Sequence, residues 1–185
     1  MTARVLIVRH TPVARSWSGR CYGRSDMGLS RAGTAAMRTL ADDLAAQSFA
    51  TIVHSGAIRT RVLAERIATL TNRPIAADPR WLERDFGAWE GRSWHAIWRE
   101  TGDLMDRMMT DPAGFHPGGG ESGQDLATRA RAAWDALPTD ADTLVVSHGG
   151  PIAAIRTLLG GLSMERMIEA VPPRGSWLIL PRQGV

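Results

Sequence analysis

Val5-Leu6-Ile7-Val8-Arg9-His10-Thr11 is a short apolar run that ends in an arginine and a histidine side by side, and its reading decides the fold. Branched aliphatic residues without polar alternation over residues 4–9 predict a strand buried on both faces of a parallel sheet. Neighbouring side chains on an extended strand point to opposite faces, so Arg9 and His10 can act together only if the strand stops there. Thr143-Leu144-Val145-Val146-Ser147-His148-Gly149-Gly150 has the same form, an apolar run that terminates in a histidine. Two strand ends, each with one histidine, are the place to look for chemistry.

Outward from the first strand, residues 12–28 read as a glycine-bearing loop and Ser30 as an N-cap. Gly33, Met37, Leu40 and Leu44 recur at helical spacing and predict an amphipathic helix over about 31–46. The unit repeats with a strand from Thr51 to Ser55 and a helix whose apolar face is Ile58, Val62, Leu63, Ile67 and Leu70, with Arg59 in its first turn. A third strand is predicted over 75–77, followed by an irregular stretch with turns at Gly87 and Gly91. Residues 93–110 carry a helical pattern broken at Gly102, with Trp94, Trp98, Met105, Met108 and Met109 among its apolar members. After the Pro117-Gly118-Gly119-Gly120 linker, Ser122 and Asp125 mark the start of another helix. The strand over 143–147, a helix over 151–159 and a strand over 177–180 complete the chain. This alternation predicts a three-layer α/β/α sandwich with a mainly parallel central sheet, one domain over 1–185, with 93–116 as a small helical lid insertion.

Composition narrows the function classes. At 185 residues the chain can bury a real core, and its 44% hydrophobic and 22% charged residues are ordinary for a globular protein. All 22 basic residues are arginine, but 19 acids offset them and the net charge is only +3, which points away from a nucleic-acid partner. The single cysteine, Cys21, excludes an intrachain disulfide, and the five histidines show no metal-binding spacing, so neither metal nor cofactor is expected. The apolar run before Arg9 is too short for a signal peptide and nothing approaches a membrane span, so no membrane partner and a cytoplasmic location are expected.

In open α/β sheets ligands bind beyond the carboxyl ends of the strands. The residues expected there are Arg9, His10, Arg59, Glu83 and His148. Two arginines and two histidines converging on one point call for an anionic guest, and phosphate is the natural one. Arg9 and Arg59 would clamp it bidentately, because a guanidinium fork matches phosphate oxygens. His10 could attack phosphorus to form a phosphohistidine. His148, if protonated, would stabilise the equatorial oxygens, with the backbone N–H of Gly149 close by. Glu83 is the nearest general acid for a leaving alcohol. His54, His95 and His116 lack such company and read as a strand-end residue and two surface or loop residues.

These residues resemble the histidine phosphatase superfamily, also called phosphoglycerate-mutase-like, over nearly the whole chain. Arg9-His10 is similar to the family's Arg-His-Gly signature, Ser55-Gly56-Ala57-Ile58-Arg59 to the segment carrying its second phosphate-binding arginine, Leu82 to Gly91 to its acid-bearing segment, and Ser147-His148-Gly149-Gly150 to its second histidine motif. The resemblance implies a metal-independent phosphomonoesterase with His10 as nucleophile. Thr11 departs from the family glycine, and Val13 and Ser16 replace its usual Thr and Asn, which removes the ground for a phosphate contact from Ser16. Arg9-His10-Thr11 followed by Cys21-Tyr22-Gly23-Arg24-Ser25-Asp26 resembles the α-ribazole phosphatase branch, with Tyr22 and Gly23 as further substrate-binding residues and the tryptophans of 93–116 as holders of a flat base. The expected partner is a small phosphomonoester, and the chain a monomer or homodimer. A phosphoglycerate-type mutase, a broad-specificity phosphatase and a non-catalytic phosphate- or RNA-binding module are the alternative readings.

Overall fold

The structure, a computed structural model, describes residues 3–182. Its centre is a five-stranded sheet of order β3-β2-β4-β1-β5, where β1 is Arg4–Arg9, β2 Thr51–His54, β3 Ile75–Ala77, β4 Thr143–Ser147 and β5 Trp177–Pro181. The first four strands run parallel and β5 pairs antiparallel to β1, with Val8 opposite Trp177. The expected mainly parallel sheet is therefore present, closed at one edge by a reversed strand.

Strand alternation sorts the core into two layers. Leu6 and Val8 of β1, with Leu144 and Val146 of β4, pack against α1 (Arg31–Ala45) and α2 (Ile58–Thr71) through Met37, Leu40, Leu44, Leu63 and Ile67. Val5, Ile7 and Val145 face the opposite side, where α5 (Gly123–Asp135) and α6 (Gly149–Leu159) contribute Leu126, Trp134, Ile152 and Ile155. A strand covered on both faces has no polar side to show, which is why β1 and β4 read as continuous apolar runs. The chain leaves β1 toward the α1 layer and leaves β4 toward the α6 layer, and these two strands are neighbours. Their ends flank the crevice that such a switch opens.

Local signals place the helix starts. Ser30 caps α1 by accepting from the Gly33 N–H, and Ser122 and Asp125 form a reciprocal capping box on α5. Ala57 offers α2 no side-chain cap; Asp26 Oδ1, from the loop after β1, accepts the Ile58 N–H at 2.9 Å instead. The predicted helix over 151–159 begins two residues earlier, at Gly149, with His148 at the N-cap. The 93–110 pattern is indeed split at Gly102, whose φ of 54° ends α3 (Trp94–Thr101); a 3-10 turn, Gly102–Asp106, leads into α4 (Arg107–Thr110). Among the described residues no helix is long and apolar enough to cross a membrane.

Candidate active site

His10 follows the last residue of β1, and its backbone N–H still bonds the Ser147 carbonyl at 3.1 Å, so the two histidine-bearing strand ends are locked side by side. Its Nδ1 lies 2.8 Å from the Thr11 carbonyl oxygen. A carbonyl can only accept, so Nδ1 carries the proton and Nε2 keeps a lone pair. Thr11 fits where glycine was expected because its hydroxyl donates to the Gly33 carbonyl at 2.9 Å in the first turn of α1. Burial, with Arg59, Arg9 and Arg174 as positive neighbours, pushes the His10 imidazole down to about 3 against the pull of the Thr11 bond.

The His148 ring meets the His10 ring edge-on with centroids 5.2 Å apart. Thr60 Oγ1 donates to the Ala57 carbonyl and therefore accepts from Ser55 Oγ at 2.8 Å, which leaves Ser55 to accept from His148 Nε2 at 2.7 Å. Arg59 Nε donates to His148 Nδ1 at 3.2 Å. Both ring nitrogens are thus engaged in a neutral tautomer, and burial followed by the Arg59 charge holds the imidazole well below the usual histidine range. The condition attached to His148, that it be protonated, is not met in the free protein, where the positive charge of the site comes from arginine.

Arg59 is fully buried. Besides His148 it donates to the Gly23 carbonyl at 2.7 Å and the Ser25 carbonyl at 2.8 Å, with Met27 Sδ at 3.3 Å. Those carbonyls are presented by a loop that Glu90 holds, since its carboxylate accepts the Arg24 and Ser25 N–H groups and the Ser25 hydroxyl. Gly23 therefore supports Arg59 rather than lining the cavity, a correction to its expected role. A Cβ on Gly23 would sit 1.8 Å from the Arg84 carbonyl oxygen, which explains the glycine.

Arg9, Tyr22, Glu83, Gly149 and Gly150 border a cavity of about 450 Å³, whereas His10, Arg59 and His148 are buried and stay out of its lining. Arg9 Nη1 donates to the Pro172 carbonyl at 2.6 Å, while its Nε and the Tyr22 hydroxyl are buried with no hydrogen-bond partner among the described residues. Glu83 Oε1 accepts from the N–H groups of Gly150 at 2.9 Å and Arg84 at 3.0 Å, which anchors one carboxyl oxygen at the start of α6. A Cβ on Gly150 would lie 2.3 Å from that oxygen. Gly150→Ala should accordingly displace the acid and lower kcat/KM by about 100-fold with the fold intact, the scale of loss that a 1 Å misplacement causes; unchanged turnover would show that the Glu83 position is immaterial.

Arg174 was not singled out in the sequence. It lines the cavity, is exposed, and sits 5.8 Å from the centroid of the Tyr22 ring, which Arg59 also faces at 5.6 Å. Its backbone is pinned to the end of β1, because the Gly175 N–H reaches the Arg9 and His10 carbonyls and the Arg9 N–H reaches Ser176. Antiparallel pairing of β5 with β1 was the missing signal: it places the residues before Trp177 beside Arg9-His10. Ser16 lies in a 3-10 turn and gives its carbonyl to Arg20. Trp98, expected to help hold a base, is 55% exposed and outside the cavity lining, whereas Trp94 lines it.

Two histidines held neutral inside the protein make stability fall with acid. Each binds a proton more readily unfolded than folded, so its contribution is present above the ordinary histidine value near 6.5 and is lost as pH falls through the window toward the folded value, about 3 for His10. At about 1.4 kcal/mol per pH unit for each group, urea midpoints should show a loss of about 3 kcal/mol between pH 7.5 and 5.5. His54, buried and also lowered by desolvation, adds to this loss, whereas Glu90 and Glu121, whose values are lowered too, add to it only at lower pH. A flat profile between those two pH values would contradict the buried neutral state.

The sequence model of the histidine phosphatase superfamily (branch 1) matches residues 5–184. A probable phosphoglycerate mutase GpmB of Yersinia enterocolitica is 30% identical over 162 residues, 86% of this chain and 75% of that protein. The native structure of a mycobacterial glucosyl-3-phosphoglycerate phosphatase superposes with a TM-score of 0.85 at 25% identity, over 97% of this chain and 90% of the other. A putative α-ribazole-5'-P phosphatase from Escherichia coli shares the fold with a TM-score of 0.86 at 23% identity, over 97% and 90% of the two chains.

Proposed function

The chain belongs to the histidine phosphatase superfamily; from this premise we propose that it is a phosphatase that hydrolyses a small phosphate monoester through a phosphohistidine on His10. The observation that carries the reading is the His10 tautomer: the Thr11 carbonyl holds the proton on Nδ1 and leaves the Nε2 lone pair to attack. As the Nε2–P bond forms, the ester P–O bond breaks and the leaving alkoxide takes a proton from Glu83 through Oε2, the carboxyl oxygen that the backbone does not hold. Water then attacks phosphorus, returns a proton to Glu83, and releases inorganic phosphate and neutral His10. The imidazolium formed in between is stabilised by its bond to the Thr11 carbonyl.

Arg9, Arg59 and Arg174 neutralise the phosphoryl charge. Among the described residues Arg9 brings an unpaired Nε–H, and Arg174 brings an exposed guanidinium beside Tyr22, while Arg59 supplies field from below and aligns His148. Gly149 leaves room for Arg9, whose Cζ would lie 3.0 Å from a Cβ there. The 93–116 segment covers the site as a lid. Within this class the substrate is α-ribazole 5'-phosphate, by the likeness of the Arg9-His10-Thr11 and Cys21 to Asp26 stretches to that branch and by the fold shared with the Escherichia coli structure.

Turnover of α-ribazole 5'-phosphate, 3-phosphoglycerate, glucosyl-3-phosphoglycerate and a phosphohistidine peptide, followed by release of inorganic phosphate without a bisphosphate primer, tests both levels. Phosphate release identifies a phosphatase, and a highest kcat/KM for α-ribazole 5'-phosphate identifies the substrate. Interconversion of phosphoglycerates without phosphate release would replace the reading with the mutase that the Yersinia relative's name describes.

A further inference from the structure

Five of the eight methionines, Met105, Met108, Met109, Met164 and Met167, line the cavity that Arg9 and Glu83 border. They come from two segments distant in sequence, the turn and α4 of the 93–116 stretch and the 3-10 turn Met164–Ala170 that follows α6, and these two segments touch. Met105 and Met108 rest on the small core of Cys21, Trp89, Ile97 and Phe115, whereas Met164 and Met167 rest on the α5–α6 core. All four are half-buried, so one side of each packs inward and the other faces the cavity. Phe86, Trp94 and Ile168 extend the same wall, and Ile168 is 61% exposed.

A contiguous apolar surface joined to charged groups at one end has the form of a ligand site rather than of a leftover patch. The phosphoryl end is fixed by Arg9, so the wall stands where the rest of the ester must lie. Resting on the phosphatase reading above, we infer that this wall is a subsite for the alcohol portion of the substrate and selects phosphomonoesters whose alcohol has a bulky apolar body over those with a second anionic group. Methionine is unbranched and polarizable, so the wall can repack around different apolar shapes and recognises apolarity and size rather than one ring outline. Opposed to a second anion is Glu165, which lines the same cavity. The arginines Arg20 and Arg84, also in the lining, are committed to backbone carbonyls, Arg20 to Ser16 and Gly91 and Arg84 to Glu121 and Phe115.

Ethyl phosphate and 2-(1-naphthyl)ethyl phosphate make the test, because both leave as primary alkoxides and differ by the ring system. Burial of roughly 100 Å² of ring surface at about 25 cal/mol per Å² predicts a kcat/KM about 50-fold higher for the naphthyl ester. Met167→Gln, and separately Met109→Gln at an exposed position, should reduce that ratio several-fold each. Equal efficiencies for the two esters, or 3-phosphoglycerate surpassing the naphthyl ester, would overturn the subsite. Should no ester be hydrolysed, the phosphatase reading fails, and calorimetric binding of the same two esters to His10→Ala still decides the subsite: tighter binding of the naphthyl ester supports it and equal affinities refute it.

Discussion

His10→Ala is expected to lower kcat/KM for p-nitrophenyl phosphate by about 10⁶-fold, the order seen when a covalent nucleophile is removed, and to abolish acid-labile ³²P labelling of the protein during turnover. The size of the effect follows from the lack of a substitute. His148 has both nitrogens engaged, by Arg59 and Ser55. Cys21 is buried, and that burial, with Glu90 and Glu83 nearby, pushes its thiol up to about 12, so it carries no useful thiolate. Folding should survive, because the substitution removes a group that costs stability when protonated, and the acid dependence between pH 7.5 and 5.5 should become shallower. Wild-type labelling in His10→Ala would move the nucleophile elsewhere and end the phosphohistidine reading at this residue.

Arg59→Met should be the most damaging substitution to fold and function together. Methionine roughly keeps the length but leaves the Gly23 and Ser25 carbonyls and His148 Nδ1 without their donor in a buried setting. Three acceptors left unsatisfied at about 1–3 kcal/mol each make a loss of about 4 kcal/mol, which lowers Tm by about 10 °C for a chain of this size. Activity should fall by about 10³-fold as the loop of residues 23–27 loosens and His148 loses its orientation. Arg59→Lys restores the charge but not the planar fork, so it should recover little. Asp26 is 4.0 Å away and about half exposed, and Glu83 acts on Arg59 through its field, so no carboxylate hydrogen-bonds the guanidinium among the described residues. Inorganic phosphate or vanadate should therefore raise Tm in the wild type and fail to do so in Arg59→Met. An unaltered melting temperature in the variant would show that the loop is held by other means.

The rank of residues around Arg59 shows what a linear reading misses. Arg59 was visible as an arginine in the first turn of a helix after a strand, and a phosphate clamp was the natural role. In the folded chain its donors are spent on the protein itself, on the Gly23 and Ser25 carbonyls, His148 Nδ1 and Met27 Sδ, and Glu90, Ser55 and Thr60 set the positions of Arg59 and His148. None of these three carries a periodic signal of its own.

What the sequence by itself determined are the features that depend on local chemistry. Unbroken aliphatic runs at residues 5–8 and 144–146 suit strands covered on both faces, and Ser30 and the Ser122–Asp125 pair start helices because they satisfy free N–H groups within three residues. Strand ends then locate Arg9, His10 and His148 without any long-range knowledge. The tertiary structure alone decided the protonation of the two histidines, because burial and the Thr11, Ser55 and Arg59 partners set it. It also decided the place of Arg174, brought to the end of β1 by an antiparallel pairing that spans the length of the chain, and the joining of two methionine groups about sixty residues apart into one wall. Side-chain pattern repeats within a turn or a strand are written locally; contacts across the sheet and tautomers set inside it exist only once the chain has closed on itself.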